Sequence, residues 1–345
     1  MTLVYHPDYI RHRQTWGHPE DPSRLTSIVD KLRSWDLFDE VLSPSKPESD
    51  EVLLLVHTPD YIDIIKNFGE GYLDPDTYHH EETFEIAQLA AEGAALAAYT
   101  SFDEQKPVFA LLRPPGHHAG KGYSGGFCYF NNIAIAAEYL INKRKARRVA
   151  IVDIDLHHGN GTEDIFSDRS DVLYISTHQW GIYPGSGALQ YAGEKNGEGF
   201  TINIPLRHGC GDATFKLAFE KVIEPVLKSY RPDAILVSFG GDAHYSDPLG
   251  GLALSTPGYL DLTHSLIDLA SSLTGSRIAF YLEGGYNVKA LAETVAGTVL
   301  KFYGKSPEDD PDLYQLEYTD VKDVQGRGAS IIDDVVEFQK KFWSL

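Results

Sequence analysis

Sulfur is scarce in this chain. Its 345 residues include two cysteines, Cys128 and Cys210. Two cysteines cannot build a disulfide framework, and no CxxC pair exists, which fits a reducing compartment. Long apolar runs are also missing. No stretch is long enough to span a membrane, and the first residues, Met1 to Pro7, lack the apolar core of a signal peptide. These absences predict a soluble cytoplasmic protein. Positive charge is in short supply as well: 30 Lys and Arg face 50 Asp and Glu, a formal charge of −20. So negative a surface repels phosphates, and direct nucleic acid binding is not expected. It would draw in cationic substrates such as lysine-rich protein segments or polyamines, or it simply aids solubility. Internal repeats and low-complexity tracts are absent.

What is present is a core. Hydrophobic residues make up 42% of the chain, enough for a sizeable buried interior. Short apolar runs rich in Val and Ile recur at Val108–Leu112, Val149–Ile154, Val172–Ser176, Phe200–Ile204, Ala234–Phe239 and Ile278–Leu282. Each reads as a buried strand. Helical spacing lies between them, over Phe84–Tyr99, Ala134–Lys143 and Phe215–Ser229. Alternation of this kind predicts an α/β domain with a largely parallel sheet covered on both faces. The acidic stretch Ser306–Asp320 reads as a surface excursion and Ile331–Phe342 as a closing helix. With no linker evident, residues 1–345 read as one domain.

In open α/β sheets ligands bind beyond the carboxyl ends of the strands. Four predicted strands end there in unusual polar clusters: Arg113-Pro114-Pro115-Gly116-His117-His118, Asp153-Ile154-Asp155-Leu156-His157-His158, Gly240-Gly241-Asp242 and Glu283-Gly284-Gly285-Tyr286. Strand alternation would point Asp153, Asp155 and His157 one way. Burying them unpaired would be costly, and a divalent cation bound by carboxylate and imidazole would compensate. A salt-bridged loop with a buried histidine is the plainer alternative. A catalytic zinc keeps three protein ligands and an open position, and Asp242, after two glycines that permit a sharp turn, is the natural third. His117 and His118 could serve as general base and as partner for a leaving amine, or as further ligands or surface residues. Tyr286 could donate a hydrogen bond to a tetrahedral oxyanion, or merely pack in a turn.

Taken together with Gly126-Phe127-Cys128-Tyr129-Phe130-Asn131-Asn132, His158-Gly159-Asn160-Gly161-Thr162, Asp247-Pro248-Leu249-Gly250-Gly251 and the earlier His18-Pro19-Glu20 with Arg24, these motifs closely resemble the zinc-dependent histone deacetylase superfamily, in the same order and over most of the chain. The resemblance implies the three-layer arginase–deacetylase fold with a central eight-stranded parallel sheet. It implies Asp155, His157 and Asp242 as ligands of Zn2+, with Fe2+ an alternative metal. His117 and His118 become the catalytic pair, Asp153 orients His117, and Tyr286 polarises the carbonyl. Gly126, Phe127 and Tyr183 would line a tunnel for the acyl-lysine stem. Asp76 matches a rim aspartate that grips the substrate backbone, and Arg24 an internal-channel arginine. Potassium is implied at main-chain oxygens of Asp153, Asp155 and His157, with Phe166 and Val172 near another site. Asn160 stands where class I relatives usually carry Asp, so the chain looks like the class II branch, and His118 should have a lower pKa than beside a carboxylate.

The expected reaction is hydrolysis of the acetyl amide of acetyl-lysine in proteins or peptides. Water is activated by the metal and the histidine pair, Tyr286 stabilises the oxyanion, and His118 protonates the departing amine. An acetylpolyamine amidohydrolase is the nearest alternative. Leu249 favours acyl-lysine, because a polyamine-selective relative has Glu there. An inactive acyl-lysine-binding scaffold is disfavoured by the complete set of site residues. A manganese ureohydrolase would need more carboxylates. A homo-oligomer is compatible with the sequence.

Overall fold

The computed structural model describes residues 1–303 and 325–345, with side chains from 328 onward in the second segment. The stretch Ser306–Asp320 lies outside the described residues. In chain order the strands are β1 (Thr2–Val4), β2 (Val41–Leu42), β3 (Gly71–Tyr72), β4 (Tyr78–His79), β5 (Val108–Ala110), β6 (Val149–Asp153), β7 (Val172–Gln179), β8 (Thr201–Leu206), β9 (Ala234–Phe239) and β10 (Ile278–Leu282). Eight of them form one sheet in the order β2-β1-β5-β10-β9-β6-β7-β8. Every pairing in it is parallel. β3 and β4 make a separate antiparallel hairpin.

The six expected strands are all present, two of them (Ala234–Phe239 and Ile278–Leu282) with the expected bounds and four with ends shifted by one to three residues. β1 and β2 went unread, since three and two residues are too short to show a pattern. The helices are α1 (Ser23–Ser34), α2 (Pro59–Asn67), α3 (Thr83–Glu104), α4 (Asn132–Arg144), α5 (Asn160–Phe166), α6 (Asp212–Ala218), α7 (Glu224–Tyr230), α8 (Thr256–Thr274), α9 (Val288–Leu300) and α10 (Gln325–Gln339). The predicted helix over Phe215–Ser229 is divided between α6 and α7 by a π-helical turn at Phe219–Ile223. The expected closing helix corresponds to α10.

All residues of β6, β9 and β10 are buried, which explains their continuous apolar runs: such strands need cover on both faces. Helices α3 and α4 pack on each other and on β5, β6, β9 and β10. A second group, α1, α8 and α9, packs together and reaches β9 and β10 through α8. The consequence for function lies in the strand order. β5, β10, β9 and β6 are consecutive neighbours, so their four polar carboxyl-terminal extensions emerge side by side.

Candidate functional site

β6 stops at Asp153. Extended-strand alternation therefore does not carry Asp155 and His157 into place, contrary to the expectation from spacing. Side chains fold the loop instead: Asp153 Oδ1 accepts the Asp155 N–H at 3.2 Å, and Asp155 Oδ1 accepts the His157 N–H at 2.8 Å. Asp242 arrives from the glycine turn after β9, its Oδ1 accepting the Leu156 N–H at 2.9 Å. The second oxygen of Asp155 takes the Gly284 N–H at 2.8 Å. A Cβ on Gly284 would stand 2.3 Å from Asp242 Oδ2 and 2.7 Å from Asp155 Oδ2, so only glycine permits this approach.

Those contacts leave Asp155 Oδ1 and Asp242 Oδ2 at 3.3 and 3.1 Å from His157 Nδ1. One ligand atom from each of the three residues lies within 4.8 Å of the others. Donors bound at about 2.0–2.2 Å around a tetrahedral ion stand roughly 3.3 Å apart, and the oxygen, oxygen, nitrogen set suits zinc. Charge makes the same demand. Asp153, Asp155, Asp242 and Glu283 are all buried, and buried carboxylates need cations. Burial and the Asp155 charge push Asp242 up to about 7. Burial alone would lower His157, but its hydrogen bonds to Asp155 and Asp242 raise it to about 10. The residues present fit a divalent ion.

The two neighbouring histidines stand 4.0 Å apart, centroid to centroid. His117 Nδ1 meets Asp153 Oδ2 at 3.0 Å, and its Nε2 lies 3.8 Å from Asp155 Oδ1. Against burial, the charges of Asp155 and Asp153 raise it to about 10. His118 Nδ1 meets Asn160 Oδ1 at 2.8 Å. Burial, then the charges of His117 and His157, hold it well below the usual imidazole range. Two adjacent imidazoles are thus driven apart in basicity.

Tyr286 precedes Asn287, whose side chain caps α9 by accepting the Ala290 N–H at 3.2 Å. The Arg24 guanidinium sits 5.0 Å from the centre of the tyrosine ring. It also donates to the carbonyls of Glu283 and, at 2.6 Å, Gly285, which fixes the turn carrying the phenol. Burial raises the Tyr286 pKa well above the ordinary phenol value, so the hydroxyl keeps its proton. Phe127 packs edge-on against Tyr286 at 5.9 Å, and Tyr183 edge-on against His118 at 5.0 Å. Gly126 has φ +53, and a Cβ there would meet the His118 ring at 2.3 Å. Asp76 is partly buried. Burial and the neighbouring Asp74 push it up to about 6. Leu249, like Tyr183, is exposed.

Spacing gave no sign of two further acids. Glu283 is buried, and its Oε2 accepts the N–H groups of Gly116 and His117 at 2.6 and 3.2 Å, pinning the histidine loop to the end of β10. Asp247 accepts the N–H groups of Tyr286 (2.6 Å) and Asn287 (3.1 Å) with Oδ2, and that of Leu249 (2.9 Å) with Oδ1. A lone acid in a loop has no periodic signature. Among the described residues no helix is long and apolar enough to cross a membrane.

Comparison with known proteins matches residues 18–302 to the histone deacetylase domain. A probable deacetylase of Archaeoglobus fulgidus is 36% identical, the alignment covering 99% of this chain and 98% of that one. Histone deacetylase 10, chloroplastic, of Oryza sativa subsp. japonica is 38% identical, covering 88% of this chain and 74% of its own. Among solved structures, the crystal structure of the HDA15 HD domain aligns with a TM-score of 0.87 at 33% identity, covering 99% of this chain and 97% of that one.

Proposed function

The chain belongs to the histone deacetylase family, and from that premise we propose that it is a metal-dependent deacetylase acting on the acetyl amide of acetyl-lysine in proteins or peptides. The observation that carries the reading is the joint placement of Asp155, His157 and Asp242 beside the adjacent rings of His117 and His118, one held by Asp153 and the other by Asn160. A divalent ion, Zn2+ or alternatively Fe2+, held by those three residues would supply Lewis acidity toward the acetyl carbonyl and the attacking water. Potassium at the main-chain oxygens of Asp153, Asp155 and His157, and near Phe166 and Val172, belongs to the same proposal.

The chain's own groups divide the remaining work. The Nδ1 proton of His118 goes to Asn160 Oδ1, a tautomer assigned from the hydrogen-bond network, which leaves Nε2 free. As the less basic ring, His118 accepts the proton of the attacking water and returns it to the departing amine. His117 stays tied to Asp153 and keeps its charge in the site. The Tyr286 phenol donates to the oxyanion as it develops. Phe127 and Tyr183 provide apolar walls for a stem whose charge acetylation has removed, and Asp76 takes the substrate main chain. Leu249 places no charge at the entrance, which supports acyl-lysine over a polyamine.

An acetylpolyamine is the second reading, favoured by the acids Asp74 and Asp76 beside the opening. The test is turnover of an acetyl-lysine peptide panel against acetylspermidine, after chelation and re-addition of single metals. Higher kcat/KM on the peptides is expected. Turnover confined to acetylspermidine would overturn the acyl-lysine assignment, and equal turnover with and without metal would overturn the metal dependence.

A further inference from the structure

We propose that Tyr174 is a positioning residue for the histidine pair, its phenol tying the carboxylate that holds His117 to the turn that carries the partner of His118. The inference rests on the deacetylase reading and deepens it, since it concerns the groups that move the proton rather than the substrate they act on.

Tyr174 lies on β7 and pairs with Ile151 of β6, two residues before Asp153. Side chains alternate along a strand, so Ile151 and Asp153 share a face of the sheet, and Tyr174 stands on that face beside them. From this level a phenol reaches forward to the carboxyl end of β6. The ring is buried. Phenylalanine would fill such a place at no polar cost, whereas a buried hydroxyl needs a partner. Tyr174 has two. Its hydroxyl lies 3.1 Å from Asp153 Oδ2 and 3.2 Å from the Gly159 carbonyl oxygen, and it shares one proton between them.

Each acceptor leads to one imidazole. Asp153 Oδ2 also meets His117 Nδ1 at 3.0 Å, while Oδ1 takes the Asp155 N–H at 3.2 Å. Without the phenol, Oδ2 would be held only by the ring it has to orient. Gly159 immediately precedes α5, and Asn160, the first residue of that helix, presents Oδ1 to His118 Nδ1 at 2.8 Å. The approach at Gly159 is close. A Cβ there would stand 2.3 Å from Asp153 Oδ2, 2.6 Å from the Tyr174 hydroxyl and 3.0 Å from His117 Nδ1, so the turn comes this near only as glycine. One hydroxyl therefore fastens the partner of His117 to the residue before the partner of His118. The two partners cannot shift independently, and the adjacent rings keep the mutual placement that a shared proton task requires.

The test is steady-state kinetics of the metal-loaded full chain on an acetyl-lysine peptide and on acetylspermidine, with bound metal and Tm measured alongside. Tyr174→Phe keeps the ring and leaves neither acceptor bare, because His117 still meets Asp153 and the Glu163 N–H still donates to the Gly159 carbonyl at 3.0 Å. kcat should fall about tenfold, the cost typical of losing an outer partner that orients a working group. KM and bound metal should hold, and the factor should be the same on whichever of the two substrates is turned over. In an Asp153→Asn background the same substitution should cost under about twofold, whereas in a Tyr286→Phe background it should keep its full cost, since that phenol serves the oxyanion. A kcat that stays at the native level would overturn the proposal. So would a loss that tracks bound metal, which would assign Tyr174 to the metal centre, or a loss confined to KM, which would assign it to substrate binding. An equal loss in both backgrounds would make it a support of the fold at large. If the native chain hydrolyses neither substrate, the deacetylase reading fails and the positioning role falls with it. If the native chain turns over and Tyr174→Phe matches it, only the positioning role fails.

Discussion

His118 Nδ1 lies 2.8 Å from the side-chain oxygen of Asn160, a neutral partner, whereas His117 leans on the Asp153 carboxylate. Asn160→Asp would place an anion in that contact and favour the imidazolium. The sign follows from the role. His118 must be neutral to accept a proton, so the acid limb of kcat/KM reports its pKa. The substitution should move that limb upward by about one unit or more, losing activity at low pH and keeping the plateau. A pH–rate profile in which the acid limb stays in place would assign the proton to another group.

Asp242→Asn tests the metal centre without relying on turnover. The amide oxygen can still accept the Leu156 N–H, and one buried charge beside Asp155 disappears. The carboxylate is already pushed up to about 7 by burial and by Asp155, so the metal-free variant should be at least as stable as the metal-free native chain. Added Zn2+ should raise the native Tm, with a stabilisation of about 4 kcal/mol at a thousandfold excess over Kd. The variant should lose most of that response. Calorimetry with and without chelator, alongside metal analysis, reads both effects, and an undiminished zinc response in the variant would place the ion elsewhere.

Acid should weaken the fold through His57. The buried ring accepts the main-chain N–H of Asn131 at 2.9 Å, so Nε2 must be unprotonated. Burial lowers its pKa from 6.5 to about 4. An unfolded chain takes up the proton near 6.5 and the folded chain only near 4, so stability is full above the first value and falls toward the second. The loss is at most about 1.4 kcal/mol per pH unit. Denaturant unfolding between pH 7 and 5 should show this slope in the native protein and a flatter one in His57→Gln. Parallel slopes would remove His57 from the acid response.

Much of this centre could be read before folding because its polar clusters interrupt apolar strands. Asp155, His157 and Asp242 each follow a buried run, and the sheet order makes β6 and β9 direct neighbours. What stayed hidden has physical reasons. β2 has two residues, too few for periodicity. The loop after β6 is folded by side-chain-to-backbone bonds that no repeat announces. Glu283 read as part of a motif with no task of its own, because its bonds to the Gly116 and His117 N–H groups span more than 160 positions.

Asp247 and Tyr286 should act as one unit. Tyr286→Phe removes an oxyanion donor and should cut kcat about 10²–10³-fold. Asp247 touches no reacting atom in this scheme; it holds the N–H groups of Tyr286 and Asn287 on one side and that of Leu249 on the other. Asp247→Asn replaces a charged acceptor by a weaker neutral one and should loosen the turn, lowering kcat about tenfold with a smaller change in KM. If Asp247 works by positioning the phenol, the second substitution should cost little once the hydroxyl is gone. The double-mutant cycle should then show a coupling of about 1 kcal/mol or more. Additive losses, or an Asp247→Asn defect that appears equally in Tm and in both tyrosine backgrounds, would make Asp247 a general support of the fold and leave Tyr286 positioned by Arg24 and the glycine turn.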